Sequence, residues 1–376
     1  MKTFDIAFIG LGAAAMSLAS RLAQGHWSGS AVFIEPADTQ RNDRTWCGWG
    51  PSDHPFQDQL TRTWTQWAVS HADTSIIRHS AQTPYQMLTA GALRERSKAL
   101  IDQRDDWQCL SARALKNADR TANGWQLHLD DQSSVHAHWV MDARAPTLNL
   151  KRPWLWQSFI GVEVKAKGFS DNDTVRLMDF IDDDTPLVSF IYELPINAEQ
   201  RLIEFTRFTP ERADENRLRE ALQAHLSARG ISPEQILREE SGHLPMAPIK
   251  PYCQAQWMRI GTAGGSMRPA TGYAFHNIQR WANACANALL AGNTPIPPRR
   301  SGLMDWLDGI FLESLWQSNH PPAKTFMRLF ERTPASALCR FLMSQARFSD
   351  VCRVLLALPK RTMIKAAFRY HQHNDS

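Results

Sequence analysis

The sequence lacks the features that would tie it to a membrane span, a metal or a nucleic acid. Its 376 residues contain no run of about 18 apolar residues, so no segment is expected to cross a bilayer as a helix. No two of its six cysteines are spaced Cys-x-x-Cys, which argues against a zinc site or a redox dithiol, and we expect no bound metal. The net charge of +4 is too small to favour nucleic acid as a partner.

The two ends of the chain suggest where the protein resides. The first apolar run after Met1-Lys2-Thr3 leads directly into a glycine motif, so we expect no signal peptide, a cytoplasmic protein and reduced thiols. Residues 321–376 carry ten Lys or Arg against three acids and are also rich in apolar residues. Such a segment can lie on an anionic lipid surface, on the inner face of the cell membrane. The alternative is a helical cap whose cations point into water.

Length and composition favour two lobes. A single core stops growing beyond roughly 250–300 residues, and 43% hydrophobic residues are enough for a packed globule. The 14 Trp and 17 Phe are many. They can line an apolar ligand cavity or build an aromatic-rich core, and the sequence leaves both open.

The N-terminal segment reads as a dinucleotide-binding βαβ unit. Residues 4–9 form a short apolar run, and Gly10, Gly12 and Ala15 fit the pattern G-x-G-x-x-G/A at the start of a predicted helix. The glycines permit a tight turn and a close approach of the backbone to a pyrophosphate, which the helix N-terminus attracts. Glu35 ends the second predicted strand, where a carboxylate binds a ribose hydroxyl.

Two later segments favour FAD over NAD. Residues 140–144 end a strand in a small-residue turn that contains Asp142. Residues 260–265 form a second glycine turn, in which Gly261 and Gly264 are candidates for cofactor contacts.

Just beyond the second glycine turn, Pro269 and Gly272 would fix the backbone near a flavin ring. Thr262 stands where such turns usually carry Asp. We therefore expect an α/β protein with a Rossmann-type two-domain FAD-binding fold. We expect residues 1–150 and 255–300 to form the FAD domain. Residues 151–254 should form a substrate lobe with an antiparallel sheet, and part of residues 56–85 is a candidate member of that lobe. Residues 301–376 form a helical C-terminal region.

Several short motifs, in order, extend over nearly the whole chain. They are Gly10 to Ala15, Glu35, Arg44-Thr45-Trp46, Asp142-Ala143-Arg144, Phe159-Ile160-Gly161, Met178-Asp179, Tyr192-Glu193-Leu194-Pro195, Arg201 to Thr206, Glu239 to Pro245, and Pro269-Ala270-Thr271-Gly272-Tyr273. With these motifs the chain resembles the bacterial lycopene β-cyclase family of FAD proteins. The Leu-Ile-Glu-x-Thr and Pro-x-Thr-Gly-Tyr segments are the most specific.

The resemblance implies a reaction. Members of that family use reduced FAD, with NAD(P)H as the reductant, to convert the ψ-end groups of lycopene into β-ionone rings without net redox change. An acid protonates the terminal double bond, an internal double bond attacks the carbocation, and a proton leaves. The family's essential acid corresponds to Glu204, and the retained Met-Asp pair makes Asp179 the second candidate carboxylate. The expected partner is a carotenoid, and the oligomeric state is left open.

The residues themselves agree with this chemistry in kind. Strand alternation places Glu204 on one face with Leu202 and Thr206, and an apolar pocket would raise its pKa so that it keeps its proton. The alternative is a surface Glu paired with a neighbouring Arg. Phe205 departs from relatives that carry an acid there. A diverged FAD-dependent oxidoreductase acting on another apolar, isoprenoid-like substrate is therefore the second hypothesis.

Two smaller predictions concern other titratable residues. Glu239 and Glu240 are adjacent and must point to opposite sides of a strand; Glu240 is predicted to be solvated and Glu239 is left open. His276 follows the Gly272-Tyr273 turn and is predicted to be a structural residue at a helix start.

Overall fold

Short buried strands separated by turns build both halves of the molecule. The computed structural model describes residues 2–37, 42–50, 54, 56–183, 187–317 and 321–374. Within these ranges the strands are β1 (Thr3–Ile9), β2 (Ala31–Glu35), β3 (Thr45–Trp49), β4 (Arg62–Trp64), β5 (Gln66–His71), β6 (Thr74–His79), β7 (Tyr85–Thr89), β8 (Trp107–Ser111), β9 (Leu115–Thr121), β10 (Gly124–Leu129), β11 (Ser134–Asp142), β12 (Leu155–Lys165), β13 (Thr174–Phe180), β14 (Val188–Pro195), β15 (Gln200–Thr209), β16 (Ile236–Met246), β17 (Cys253–Gln254) and β18 (Trp257–Arg259).

Helices cover one face of each large sheet and form the C-terminal region. They are α1 (Ala13–Gln24), α2 (Ala90–Ile101), α3 (Glu215–Ala228), α4 (Phe275–Leu290), α5 (Gly302–Leu315), α6 (Pro322–Arg332), α7 (Ala335–Leu342), α8 (Phe348–Ala357) and α9 (Lys360–Asn374). Across the described ranges, no helix combines the length and the apolar character that a membrane crossing requires.

The first sheet has the parallel core that a dinucleotide-binding fold requires. Strands β18, β11, β1, β2 and β8 lie side by side, and each neighbouring pair is parallel. The β9–β10 hairpin joins β11 in antiparallel fashion. Helices α1, α2 and α4 bury their apolar residues against this sheet. The predicted α/β class with a Rossmann-type fold is confirmed.

The second sheet is mainly antiparallel and has seven strands in the order β16-β12-β15-β14-β13-β5-β6. Residues 66–79 supply β5 and β6, so this part of the N-terminal half lies in the sheet formed by the later strands. Helix α3 covers one face through Leu218 and Leu222. Phe326 and Leu329 of α6 pack on the other face with Phe190 and Phe208. The space between this second face, the first sheet and the C-terminal helices contains the candidate site.

Candidate active site

The glycine turn after β1 leaves room in front of helix α1. Gly10 adopts φ +87°, a left-handed conformation that favours glycine. No side chain caps the N-terminus of α1, and a Cβ on Gly12 would meet no atom within 4 Å. Ala15 is fully buried against the sheet. Free N–H groups facing open space suit the phosphates of a dinucleotide.

Glu35 and Asp142 lie at the carboxyl ends of strands on either side of β1. The Glu35 carboxylate accepts hydrogen bonds from the backbone N–H of Leu11 at 2.6 Å and of Ala37 at 2.9 Å. A carboxylate has further acceptor positions, so Glu35 can also bind a ribose hydroxyl. Asp142 is instead engaged by its own turn: it accepts from the Arg144 backbone N–H at 3.0 Å and from the Arg144 guanidinium at 2.7 Å.

The second glycine turn lies against the first turn of α1. Gly261 has φ +63°, and a Cβ there would be 3.3 Å from the Ala14 Cβ. Gly264 is tightly enclosed, since a Cβ would be 2.4 Å from the Arg259 carbonyl oxygen. The structure therefore brings the two predicted glycine segments together. Thr262, which lies between Gly261 and Gly264, lines the cavity described below.

A buried ion pair anchors the loop that contains Pro269 and Gly272. The guanidinium of Arg268 binds the Asp308 carboxylate of α5 at 2.7 Å, and both side chains are almost fully buried. The Ala270 backbone N–H also donates to Asp308 at 3.3 Å. Gly272 has φ +71° and lies close to the Gln157 side chain of β12. The segment expected near a flavin ring is thus held rigidly beside the second sheet.

A cavity of about 480 Å³ lies between the second sheet, this loop and the C-terminal helices. Its wall is mostly aromatic and aliphatic, with Phe159 from β12, Phe190 from β14 and Phe341 from α7. The aromatic residues therefore serve partly as cavity wall and partly as core. Glu204 is one of the few carboxyl groups in the wall.

Glu204 faces the cavity because of strand alternation and the strands around it. On β15 it shares its face with Leu202, which packs in the cavity-side core, and with Thr206, which lines the cavity. The two neighbouring arginines pair elsewhere, Arg201 with Glu193 at 2.9 Å and Arg207 with Asp183 at 2.7 Å. Glu204 is therefore not a surface glutamate paired with a neighbouring arginine.

A glycine between two strands lets Glu204 meet a second carboxyl group. The register aligns Glu204 of β15 with Gly161 of β12, and Gly161 with Glu240 of β16. A Cβ on Gly161 would be 2.5 Å from the Glu204 Cγ, so only glycine leaves room for the side chain. Glu204 extends into this gap beside Glu240, close enough for the second carboxyl group to influence the first.

Glu240 is buried, with 4% of its surface exposed, and the prediction that it is solvated is wrong. Its Oε2 accepts hydrogen bonds from the Arg238 guanidinium at 2.6 Å and from the Thr45 hydroxyl at 2.7 Å. Glu239 takes the solvent-facing role and pairs with Arg219 of α3. Alternation shows that the two glutamates face opposite sides, but not which side the cavity occupies. The Arg238 guanidinium thus forms a charge-assisted hydrogen bond with Glu240.

The surroundings of Glu204 favour its protonated form. Removal from bulk water raises the pKa of Glu204 well above its usual range, and the neighbouring Glu240 raises it further. The Arg238 guanidinium opposes this shift more weakly. The raised pKa favours the neutral carboxylic acid form of Glu204, next to a Glu240 that is paired with Arg238.

Tyrosine hydroxyls form a polar cluster in the cavity wall beside this pair. The Tyr85 hydroxyl lies 2.9 Å from that of Tyr192 and 3.2 Å from that of Tyr273. Cys47 lies beside Tyr192, which is aligned with Glu204 on the next strand. Burial raises the pKa of all four groups, so they stay neutral. The sequence analysis did not identify this cluster, because its members are distant in the chain.

The structure does not bring Asp179 to Glu204. Asp179 is aligned with Ile191, which packs under α3 on the face opposite the cavity. The charged groups around it are Arg176, His225, Glu193 and Arg229, and partial burial raises its pKa. His276 lies in the first turn of α4, where burial lowers its pKa to about 3 and keeps it neutral.

This fold, with glycine turns on a parallel sheet and a cavity beside a second sheet, is shared with solved FAD-dependent monooxygenases and reductases. A geranylgeranyl bacteriochlorophyll reductase-like protein from Thermoplasma acidophilum shares this fold with a TM-score of 0.69 at 12% identity, over 97% of this chain and 98% of that one. A probable FAD-dependent monooxygenase from Pseudomonas aeruginosa gives 0.61 at 15% identity, over 85% and 98% of the two chains.

The sequence comparisons are more specific than the fold. The chain belongs to the lycopene cyclase family, whose model, described as lycopene cyclase protein, matches residues 5–368. It is 25% identical to the lycopene beta-cyclase of Pseudescherichia vulneris, over 94% of each chain. The family resemblance drawn from the short motifs is thereby confirmed.

Proposed function

We propose that this chain is a lycopene β-cyclase that closes β-ionone rings on the ψ-end groups of lycopene and depends on reduced FAD without net redox change. One observation carries the proposal. Glu204, whose pKa is raised well above its usual range, lies in the wall of an apolar cavity beside a buried Glu240 that pairs with Arg238. An acid kept neutral in apolar surroundings is what protonation of an alkene requires.

The chain's own residues account for the steps as follows. The Glu204 carboxyl donates its proton to the terminal double bond of the end group, which becomes a tertiary carbocation. The internal double bond attacks this carbon, the six-membered ring closes, and a proton leaves the ring. Aromatic side chains such as Phe159 exclude water, which would otherwise capture the cation. Their electron-rich faces also favour a positive charge in the cavity.

Glu240 acts in this scheme as a positioning residue. Its carboxylate, fixed by Arg238 and Thr45, accepts the hydrogen bond of the protonated Glu204 and so orients the acid. Once Glu204 has given up its proton, two carboxylates face each other in a dry site. This repulsion favours the return of a proton to Glu204 and resets the acid.

The glycine segments fit a bound FAD. Gly10, Gly12 and Ala15 would receive the pyrophosphate, Glu35 the ribose, and the turns at 261–264 and 269–272 the rest of the cofactor. Reduced FAD, kept so by NAD(P)H, would supply negative charge that stabilises a cation in the neighbouring cavity. The Asp142 carboxylate acts through the turn that it shapes beside Gly10.

The second hypothesis was a diverged oxidoreductase, and it rested on Phe205. In the structure Phe205 points away from the cavity and packs under α3 with Ile160 and Leu218. The identity of this residue therefore does not alter the cavity wall. Glu240 supplies a second carboxyl group from another strand. A cyclase gives a product of unchanged mass, whereas an oxidoreductase changes the mass by two hydrogens or an oxygen.

Expression in a lycopene-accumulating bacterium tests the proposal. We expect the wild-type chain to convert lycopene to a ring-bearing carotene, and Glu204→Gln to lower conversion by about 10²–10⁴-fold, since it keeps the shape and removes the proton. Asp179→Asn is the matched control, because Asp179 lies on the opposite face of the sheet. If Asp179→Asn abolishes ring closure while Glu204→Gln cyclises normally, the donor is Asp179. Unchanged lycopene with the wild-type chain contradicts the proposed substrate.

A further inference from the structure

Large apolar side chains are exposed on one part of the helical C-terminal region. Phe348 at the start of α8 is 85% exposed, Phe368 on α9 69%, and Leu356 on α8 65%. The C-terminal apolar face, as we call it, consists of Leu303, Trp306, Phe348, Leu355, Leu356, Ile364 and Phe368. Exposed apolar patches of this kind mark interaction sites.

The cavity reaches the surface within this face. Trp306 of α5, Leu355 of α8 and Ile364 of α9 line the cavity and are at the same time exposed to solvent. The three helices therefore form an apolar mouth. An apolar molecule that enters through the mouth therefore contacts the apolar side chains of these three residues.

The unpaired charged side chains of α9, one of the three helices at the mouth, have a single sign. Lys360, Arg361, Lys365 and Arg369 are exposed and form no ion pair with the residues that the structure describes. Between residues 332 and 374 the sequence contains one acid, Asp350, and it is buried and paired with Arg340. Cations interspersed with exposed Phe, Leu and Ile match the headgroups and the acyl boundary of an anionic bilayer.

We propose that the C-terminal apolar face docks on an anionic phospholipid bilayer and that the cavity opens there directly into the acyl layer. The part of this inference that concerns substrate delivery rests on the proposed function, because a C40 hydrocarbon dissolves in the bilayer and not in water. A second copy of the chain is the less suitable occupant. A two-fold interface through this face would bring the unpaired cations of both copies together.

Vesicle sedimentation of the full-length protein tests docking without any reference to catalysis. The probes are phosphatidylcholine vesicles with and without phosphatidylglycerol. The test variant is Leu356→Ser/Phe368→Ser, since neither side chain lines the cavity. The matched control is Ile77→Ser/Leu237→Ser, which removes two apolar side chains of the second sheet that are also more than half exposed.

We expect the wild type and the control to bind anionic vesicles. The test variant should bind roughly tenfold or more weakly, because it loses the burial of two large apolar side chains in the acyl boundary. Removal of phosphatidylglycerol or addition of salt should weaken binding of the wild type. Equal binding by the test variant and the control overturns the proposal, and so does a wild type that ignores anionic vesicles. A wild-type dimer that the test variant dissolves assigns the face to self-association instead.

Activity measurements separate this proposal from the proposed function. With lycopene dispersed in detergent, the test variant should cyclise as fast as the wild type, and with lycopene in anionic vesicles it should be slower by the same factor as its binding. Vesicle binding without cyclisation by the wild type would support docking and contradict the cyclase assignment.

Discussion

Gly161 separates the two carboxyl groups of the site, and its missing side chain is what allows them to meet. Second-neighbour strands are roughly 10 Å apart, so side chains on β15 and β16 touch only if the residue between them is small. Gly161 occupies this position, and its backbone is ordinary extended strand. A side chain there would displace Glu204 and leave the rest of the sheet intact, because the nearest atoms belong to Glu204 itself.

We therefore predict that Gly161→Ala folds, retains flavin and loses activity on the order of 10²-fold, as expected for misplacement of a catalytic group by about 1 Å. Initial rates of ring formation on detergent-dispersed lycopene measure the effect. Gly302→Ala is the control, since a Cβ at Gly302 meets no atom within 4 Å. Near wild-type activity of Gly161→Ala would show that the contact between Glu204 and Glu240 is not needed.

The pH profile reports the role of Glu240. In the proposed mechanism, activity requires the protonated Glu204 and should fall as the pH rises through the pKa of this residue. The negative charge of Glu240 raises that pKa, while Arg238 lowers it. Glu240→Gln removes the negative charge that raises the pKa of Glu204 and leaves the Arg238 charge that lowers it. We predict that the alkaline limb of the rate profile moves to lower pH by about one unit or more.

Glu239→Gln provides the comparison for this shift. It removes the same charge one residue away, from a side chain that faces α3 and pairs with Arg219. Its alkaline limb should coincide with that of the wild type. A purely structural role of Glu240 would lower the rate at every pH without moving the limb, and this outcome would remove Glu240 from the mechanism.

We expect cofactor binding to depend on helix α1. Its N-terminus has no capping side chain and no acid in the first turn, so its free N–H groups can bind an anion. A side chain at Gly12 would project into the open space in front of the helix. We predict that Gly12→Val folds but lowers the ratio of flavin to protein at least about tenfold, because the branched side chain takes the place of the pyrophosphate.

The same substitution at another helix start is the control for Gly12→Val. Gly302 begins α5, and a Cβ there also enters open space. Gly302→Val should retain its flavin, as judged by the absorbance of the purified protein. A yellow Gly12→Val protein with a full flavin complement would refute the assignment of the first glycine turn.

Elements were predicted well from local pattern, and contacts between distant elements were not. Alternation along β15 placed Glu204 with Leu202 and Thr206, and apolar runs next to glycine located β1, α1 and β2. The same alternation could not tell which of Glu239 and Glu240 faces inward, since the answer depends on where α3 packs. Arg238 and Thr45, which hydrogen-bond at 2.7 Å, are 193 residues apart, a distance that no local pattern spans.

At the scale of the whole molecule, the two lobes divide the chemistry between them. The first sheet presents the glycine turns, and the second sheet presents the acid pair to a cavity that the C-terminal helices close. Family membership and fold follow from sequence because the motifs are spread over nearly the full length. The reaction that takes place in the cavity is defined by which hydrogen is added to the substrate and which is removed.

Ring closure in D2O tests the central claim most directly. If Glu204 starts the reaction with an exchangeable proton, each ring formed should retain one deuterium at the carbon that was protonated, and the product should otherwise have the mass of lycopene. Mass spectrometry of the pigment made by wild type and Glu204→Gln in D2O, with reduced FAD present, measures this. The account predicts one deuterium per ring from the wild type and almost no product from Glu204→Gln. A product without deuterium, or one that differs from lycopene by two hydrogens, would contradict it.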